Sequence, residues 1–177
     1  MFPSHDRGGY LAHVTKENKL RTYSTSESEI SFESEVNKRA YTWSHSYNYD
    51  ANDTILLVKN TSSTKNLLID KIIVSSDTTT QFIVHFPSDT TLAGTTVTGT
   101  QLNRSSLNTA EAEAYGDETG NTRGTIMAQG IILNNTPAIL PLDGSIVLGV
   151  SNELAVDFVT AGTLGMVTIR GYYHEVL

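Results

Sequence analysis

Cysteine is absent, so the chain can hold no disulfide, no thiolate metal site and no cysteine nucleophile. For a sequence so rich in turn residues, that also argues against a small secreted disulfide scaffold. Positive charge is scarce: 12 Lys and Arg stand against 19 Asp and Glu, a net charge of −7. No run of basic residues could track a phosphate backbone, and no nucleic-acid partner is expected. No apolar stretch approaches the length that spans a bilayer, so no membrane partner is expected either. The opening "MFPSHDRGGYLAHVTK" lacks an apolar h-region and is not read as a signal peptide. The Asn-X-Ser/Thr triplets at Asn52, Asn60, Asn103 and Asn134 are accordingly read as accidents of composition.

Hydrophobic residues (38%) and charged residues (18%) both fall below the usual share of a compact domain. Ser and Thr fill the difference, at roughly a quarter of the 177 residues. Threonine is stiff at its first side-chain torsion and suits a pleated, half-buried surface, which leans the reading towards all-β. The length fits one domain with an appendage.

Two segments differ in character. Residues 1–50 are polar with scattered aromatics, whereas from Thr54 onward short apolar runs alternate with Gly/Ser/Thr/Asn/Asp turns. The expected organisation is an extended N-terminal arm over 1–50 and an antiparallel, jelly-roll-like β-sandwich over 51–177. In the body, "QFIVHF" sets Phe82, Val84 and Phe86 on one face. "ELAVDFV" turns Leu154, Val156 and Phe158 inward, and "MVTIRGYY" opposes Val167, Ile169 and Tyr173 to Thr168, Arg170 and Tyr172. Asp143-Gly144 in "PLDGSIVLGV" is a hairpin signal, because such a turn needs positive φ. About eight strands are expected, the number in a jelly roll.

The run "LLIDKIIV" reads as a strand by its β-branched content. Strict alternation places Leu67, Ile69 and Ile73 on one side and Leu68, Ile72 and Val74 on the other. Both faces are then apolar, so a second surface must cover the strand: an arm, a loop or another subunit. Residues 104–124 form the longest irregular stretch. There Asn108 and Glu111 resemble a helix cap with its reciprocal partner, and Gly116 a helix stop.

Catalytic machinery is not evident. Glu111, Glu113, Asp117 and Glu118 could in principle act as glycosidase carboxylates or Ca²⁺ ligands. They lack an EF-hand spacing and a cleft of aromatic platforms, and a solvated acidic loop is the plainer reading. The histidines His5, His13, His45, His85 and His174 make no H-x-x-x-H or H-x-H pair. His85 is read as a partly buried or interface histidine on the face opposite Val84 and Phe86. No G-x-S-x-G elbow and no phosphate-cradling loop occurs, so no enzymatic activity, no catalytic residue, no metal and no cofactor is expected.

The stretch "AYTWSHSYNYD" holds the single Trp, with Tyr41, Trp43, Tyr47 and Tyr49 on one face of an extended strand. Such aromatics anchor protein interfaces at low entropy cost, and in a carbohydrate-binding module they would form a sugar platform. Upstream, "STSESEISFESEVNK" alternates as an amphipathic strand with Ile30, Phe32 and Val36 on one face. The arm lacks the apolar residues for a core of its own, so a sheet edge or a neighbouring subunit would hold it. The expected interface residues are therefore Ile30, Phe32, Val36, Tyr41, Trp43, Tyr47, Tyr49, Leu68 and Ile72.

The tract "LLVKNTSSTKNLLIDKIIVSSDTTTQFIVHF", with "LNRSS", "DETGNT" and the final "ELAVDFVTAGTLGMVTIRGYY", resembles small virion proteins of tailed bacteriophages. These are head decoration, cement or auxiliary capsid proteins, often trimeric β-sandwiches on the capsid lattice. The resemblance covers roughly residues 54–173 and leaves the arm out. It implies a non-enzymatic, shell-stabilising role on the outer surface of the capsid, with self (a homotrimer) and the major capsid protein as partners. A receptor- or glycan-binding module of a head or tail fibre is the alternative, and a hydrolase acting through the acidic loop a distant third.

Overall fold

The computed structural model describes residues 11–14, 20–23, 28–90, 92–118 and 121–175. A two-stranded ribbon of β1 (Leu11–Val14) and β2 (Leu20–Tyr23) precedes a short helix, α1 (Glu29–Glu35). Eleven strands follow. They are β3 (Ala40–Tyr49), β4 (Thr54–Asn60), β5 (Lys65–Ser76), β6 (Thr80–Phe86), β7 (Thr95–Thr96) and β8 (Thr100–Gln101). Then come β9 (Ala112–Glu118), β10 (Thr125–Ile132), β11 (Ala138–Leu148), β12 (Glu153–Phe158) and β13 (Gly162–Glu175). The first sheet runs β10-β6-β12-β4-β9-β7 and the second β11-β5-β13-β3-β8. The two pack face to face, and the expected all-β antiparallel sandwich is what the chain forms.

The pairing is nested. β6 pairs with β10, β5 with β11, β4 with β12 and β3 with β13, all antiparallel. The excursion 87–124, carrying β7, β8 and β9, sits inside the innermost pair. Strands with clean alternation fold as their pattern dictates: Phe82, Val84, Leu154, Val156, Phe158, Val167, Ile169 and Tyr173 all enter the core between the sheets. Exchanging one face for the other would bury Thr and Arg and expose Ile and Phe, so register is held by burial.

Four expectations are corrected by tertiary context. First, β3 is a full member of the second sheet, paired along most of its length with β13, so the sandwich begins at Ala40 rather than near 50. Second, the segment expected as an amphipathic strand holds α1. Ser28 caps it by accepting from the Ser31 N–H, and Ile30 and Glu33 at helical spacing form its buried side. Third, Asn108–Gly116 forms no helix; Ala112–Glu118 pairs with β4 as β9. Alanine and glutamate favour helix, but small side chains on alternate positions let this strand lie close to β3, and packing overrides propensity. A Cβ on Gly116 would stand 2.1 Å from the His45 ring.

The fourth correction concerns "LLIDKIIV". Lys71 pairs with Arg170 and Ile69 with Gly171, which leaves Asp70 as one extra residue. This bulge resets the alternation. Leu67, Ile69, Ile72 and Val74 therefore all point into the core, and only Leu68 and Ile73 remain outside. Leu68 is covered within the same chain by Ile30 of α1, together with Ala40 and Tyr172. Asp70 itself turns out to Arg170, whose Nε donates at 2.9 Å.

Asp143-Gly144 adopts the positive φ expected (47° and 77°), but inside β11 rather than at a hairpin. Pro141 pairs with Lys71 and Ile146 with Ile69, so the residues between them loop out opposite Asp70. Gly144→Ala forces a side chain into the left-handed region and brings its Cβ within 2.6 Å of Tyr172 Oη. It is expected to cost about 1–2 kcal/mol, read as a lower urea midpoint; an unchanged midpoint would mean that the bulge relaxes freely.

Candidate functional site

The row of aromatics on β3 does share one face, and that face is the core. Trp43 is 0% exposed, Tyr41 and Tyr49 are buried, and only Tyr47 is half-buried. Tyr41 meets Tyr173 edge-on at 5.7 Å and Tyr49 meets Phe158 edge-on at 5.1 Å, the geometry aromatic quadrupoles favour. The Tyr49 hydroxyl is satisfied by Ser76 Oγ at 2.6 Å. Of the other expected interface residues, Ile30 and Ile72 are buried, Phe32 and Leu68 are half-buried, and Val36 is exposed. Tyr41, Trp43, Tyr49, Ile30 and Ile72 thus stabilise the monomer, and they present neither a sugar platform nor a docking surface.

Burial, the first cause, and the nearby charges of Asp53 and Asp117 raise the Tyr47 pKa; burial and then Glu111 do the same for Tyr173. Both remain protonated in the folded chain where an unfolded tyrosine ionises, near pH 10. Their contribution to stability is therefore complete below pH 10 and is lost as pH rises through that value towards the folded-state pKa. Urea midpoints should fall above pH 10 while tyrosinate absorbance lags behind the unfolded control. Ionisation of all eight tyrosines together in the folded chain would contradict this.

The most chemistry-like constellation lies on the outward face of the first sheet. Asp157 on β12 accepts from Thr54 Oγ1 at 2.7 Å and from Arg123 Nε at 2.6 Å. His85 Nε2 stands 3.1 Å from the same carboxylate without the alignment of a hydrogen bond. His85 is fully buried, more so than expected. The carboxylate stands at the centre, and the Thr54 hydroxyl is bonded to it rather than to the imidazole. The arrangement ties three strands and the Arg123 segment together.

The acidic residues of the 104–124 stretch do not converge. Glu111 pairs with Lys65, whose hydrogen bond is the main cause of its lowered pKa. Glu118 is buried and accepts from the backbone N–H groups of Ala93 and Gly94. Glu113 and Asp117 are exposed. The expected solvated loop is therefore half structural, with Glu118 anchoring the approach to β7. Among the described residues, no group of three His, Asp or Glu is placed to share an ion.

What the core and these pairs leave over is an edge. The stretch from Gly124 to Leu142, covering β10, its turn and the first part of β11, contains no charged residue. It carries Ile126 (49% exposed), Met127 (43%), Ile131 (71%), Leu133 (60%) and Ile139 (62%). β10 and β11 are the terminal strands of their sheets on the same side of the sandwich, since β10 faces β5 across the core and β11 flanks β5. A margin of exposed apolar residues without charge, on an otherwise acidic chain, marks a place for a partner. The sequence signal was its charge alone: it is the longest run of the chain without Asp, Glu, Lys or Arg. Neither its exposure nor its edge position could be read before the strand order was known.

No protein-family model, curated protein or solved structure matches this chain.

Proposed function

We propose that this protein is a non-enzymatic structural component of an assembly, acting through protein contacts on a rigid sandwich. The observation that carries the reading is the charge-free, apolar margin of β10 and β11 on a chain of net charge −7. The nested strand pairing is read as a jelly roll, in which β3-β13-β5-β11 and β4-β12-β6-β10 are the two four-stranded sheets and β7–β9 are an insertion. The resemblance of residues 54–173 to tailed-phage head proteins supports reading the assembly as a virion shell, with the chain decorating and cementing its outer surface and the major capsid protein as its partner. In support, Asp157, Glu118 and Glu111 are engaged by Thr54, by the backbone N–H groups of Ala93 and Gly94, and by Lys65.

A protein that binds the assembled shell and not loose subunits stabilises the shell by mass action. The test is sedimentation with intact heads of the virus that encodes the chain, compared with its loose capsid subunits. Co-sedimentation with heads alone, with a raised head disassembly temperature, is the expected result. A chain that stays at the top of the gradient, or leaves head stability unchanged, would sink the reading.

A further inference from the structure

The four margins of the two sandwich sheets are not built alike. β7 and β8 end their sheets as strands of two residues each, too short to template another chain. β11 carries Pro141, which has no N–H to give, and the looped-out Asp143-Gly144 bulge beside it. These are the usual devices that keep sheet edges from pairing with other molecules. β10 has none of them from Ala128 to Ile132: no proline, no charge and regular pairing to β6 on its inner side. No described strand pairs with its other side. The part of β3 beyond its two-residue pairing with β8 is also unpaired on one side, but its outward residues Ser44, Ser46 and Asn48 are polar, whereas the open edge of β10 exposes Ile126 and Ile131.

We infer that the open edge of β10 pairs antiparallel with β10 of a second copy of this chain, joining two first sheets across a two-fold axis. This deepens the assembly reading above and names one of its contacts. An antiparallel strand is its own complement, so a two-fold contact sets Ala128–Ile132 against the same residues with every main-chain donor facing an acceptor. Charge singles out a like copy. Two chains of net charge −7 repel over most of their surfaces, and this margin is where they can meet without opposed carboxylates. Gln129 and Ile131 both lie on the outward side of the strand, so the pair would also continue an outer row of Gln and Ile side chains across the axis. An isologous edge of this kind yields even numbers of chains, in place of the trimer that the family resemblance implies.

The chain has no cysteine, so a single introduced one reports its own neighbours. Facing Cα atoms in an antiparallel pair lie within the span of a disulfide. The unmodified protein should have the mass of two chains by light scattering. Ile131→Lys, at a position 71% exposed, should weaken self-association by at least about tenfold with the circular dichroism spectrum unchanged. Gln129→Lys serves as the second variant if the first fails to fold. Because the two-fold at Gly130 sets Gln129 of one copy opposite Ile131 of the other, an equal mixture of the Gln129→Cys and Ile131→Cys proteins should oxidise to a covalent dimer carrying one of each, while Thr98→Cys near the opposite margin should not cross-link with either. A single-chain mass at every concentration, a trimer, or a dimer indifferent to both lysines would overturn the inference. Head binding by a strictly monomeric chain would sink the edge pairing alone; a β10-linked dimer that ignores intact heads would sink the shell reading alone.

Discussion

Replacing Trp43 with alanine is expected to cost about 3–5 kcal/mol of stability, a fall of roughly 6–20 °C in Tm for a chain of this size. The indole is fully enclosed on β3, with Ile169 as its cross-strand neighbour and the Tyr41 ring 6.2 Å away. Its far wall is equally close: a Cβ on Gly99 would come within 2.5 Å of Trp43 Nε1 and 2.8 Å of the Ala110 methyl. Truncation leaves a cavity that strands on both sides hold open, and such cavities add to the transfer free energy that is lost. Trp43→Phe supplies the internal control. The indole N–H has no hydrogen-bond partner among the described residues, so phenylalanine loses volume and also removes an unsatisfied donor. It should cost clearly less than alanine. Thermal melts followed by circular dichroism decide the matter, since Trp43 is the only tryptophan and its removal abolishes the fluorescence probe. An alanine variant that melts with the parent and loses only glycan binding would restore the sugar-platform reading.

The legible and illegible parts of this fold divide along one physical line. Where a strand keeps strict alternation of large apolar residues, as in Gln81–Phe86 and Glu153–Phe158, the residues facing the core could be named from the sequence, because a slip of one residue inverts the whole face. One inserted residue defeats that logic. Asp70 resets the phase of β5, so a strand that seems apolar on both sides in fact aims four of its six large aliphatics at one core. The demand for an external cover largely disappears with it, since α1 covers Leu68. The aromatic face of Tyr41, Trp43, Tyr47 and Tyr49 was legible as a face, but not what it faced. A polar average over residues 1–50 hid one strand whose core partners, Ile169 and Tyr173, lie more than a hundred residues away. The candidate site was the least legible part. An uncharged run such as Gly124–Leu142 could equally have been interior, and only strand order separates a central strand from an exposed margin.

Asp157→Ala tests whether the buried charge cluster is structural. The side chain is almost fully enclosed, and it receives Thr54 Oγ1 from β4, Arg123 Nε from the segment before β10 and the close approach of His85 from β6. Removing it strands a guanidinium against the sheet and leaves the Thr54 hydroxyl without its strongest acceptor. Breaking such a pair from one side costs about 3–5 kcal/mol, far more than the pair contributes relative to an apolar replacement. Arg123→Ala should cost less, because Asp157 keeps Thr54 as a donor and Arg123 is itself about a third exposed. The double variant should then be less destabilised than the sum of the two, with a coupling of roughly 0.5–3 kcal/mol, since neither residue is left facing a lost partner. Arg123 also holds Asn52 Oδ1 at 3.2 Å, so its loss loosens the turn before β4 as well as the approach to β10. The two lysine variants of the open edge act at the opposite end of β10 from this cluster, and their effect on association should survive in an Arg123→Ala background. Urea titrations of the three variants measure the cycle. Strict additivity would show that Asp157 and Arg123 are neighbours without being coupled, and the cluster would then lose its role as the tie between the insertion and the first sheet.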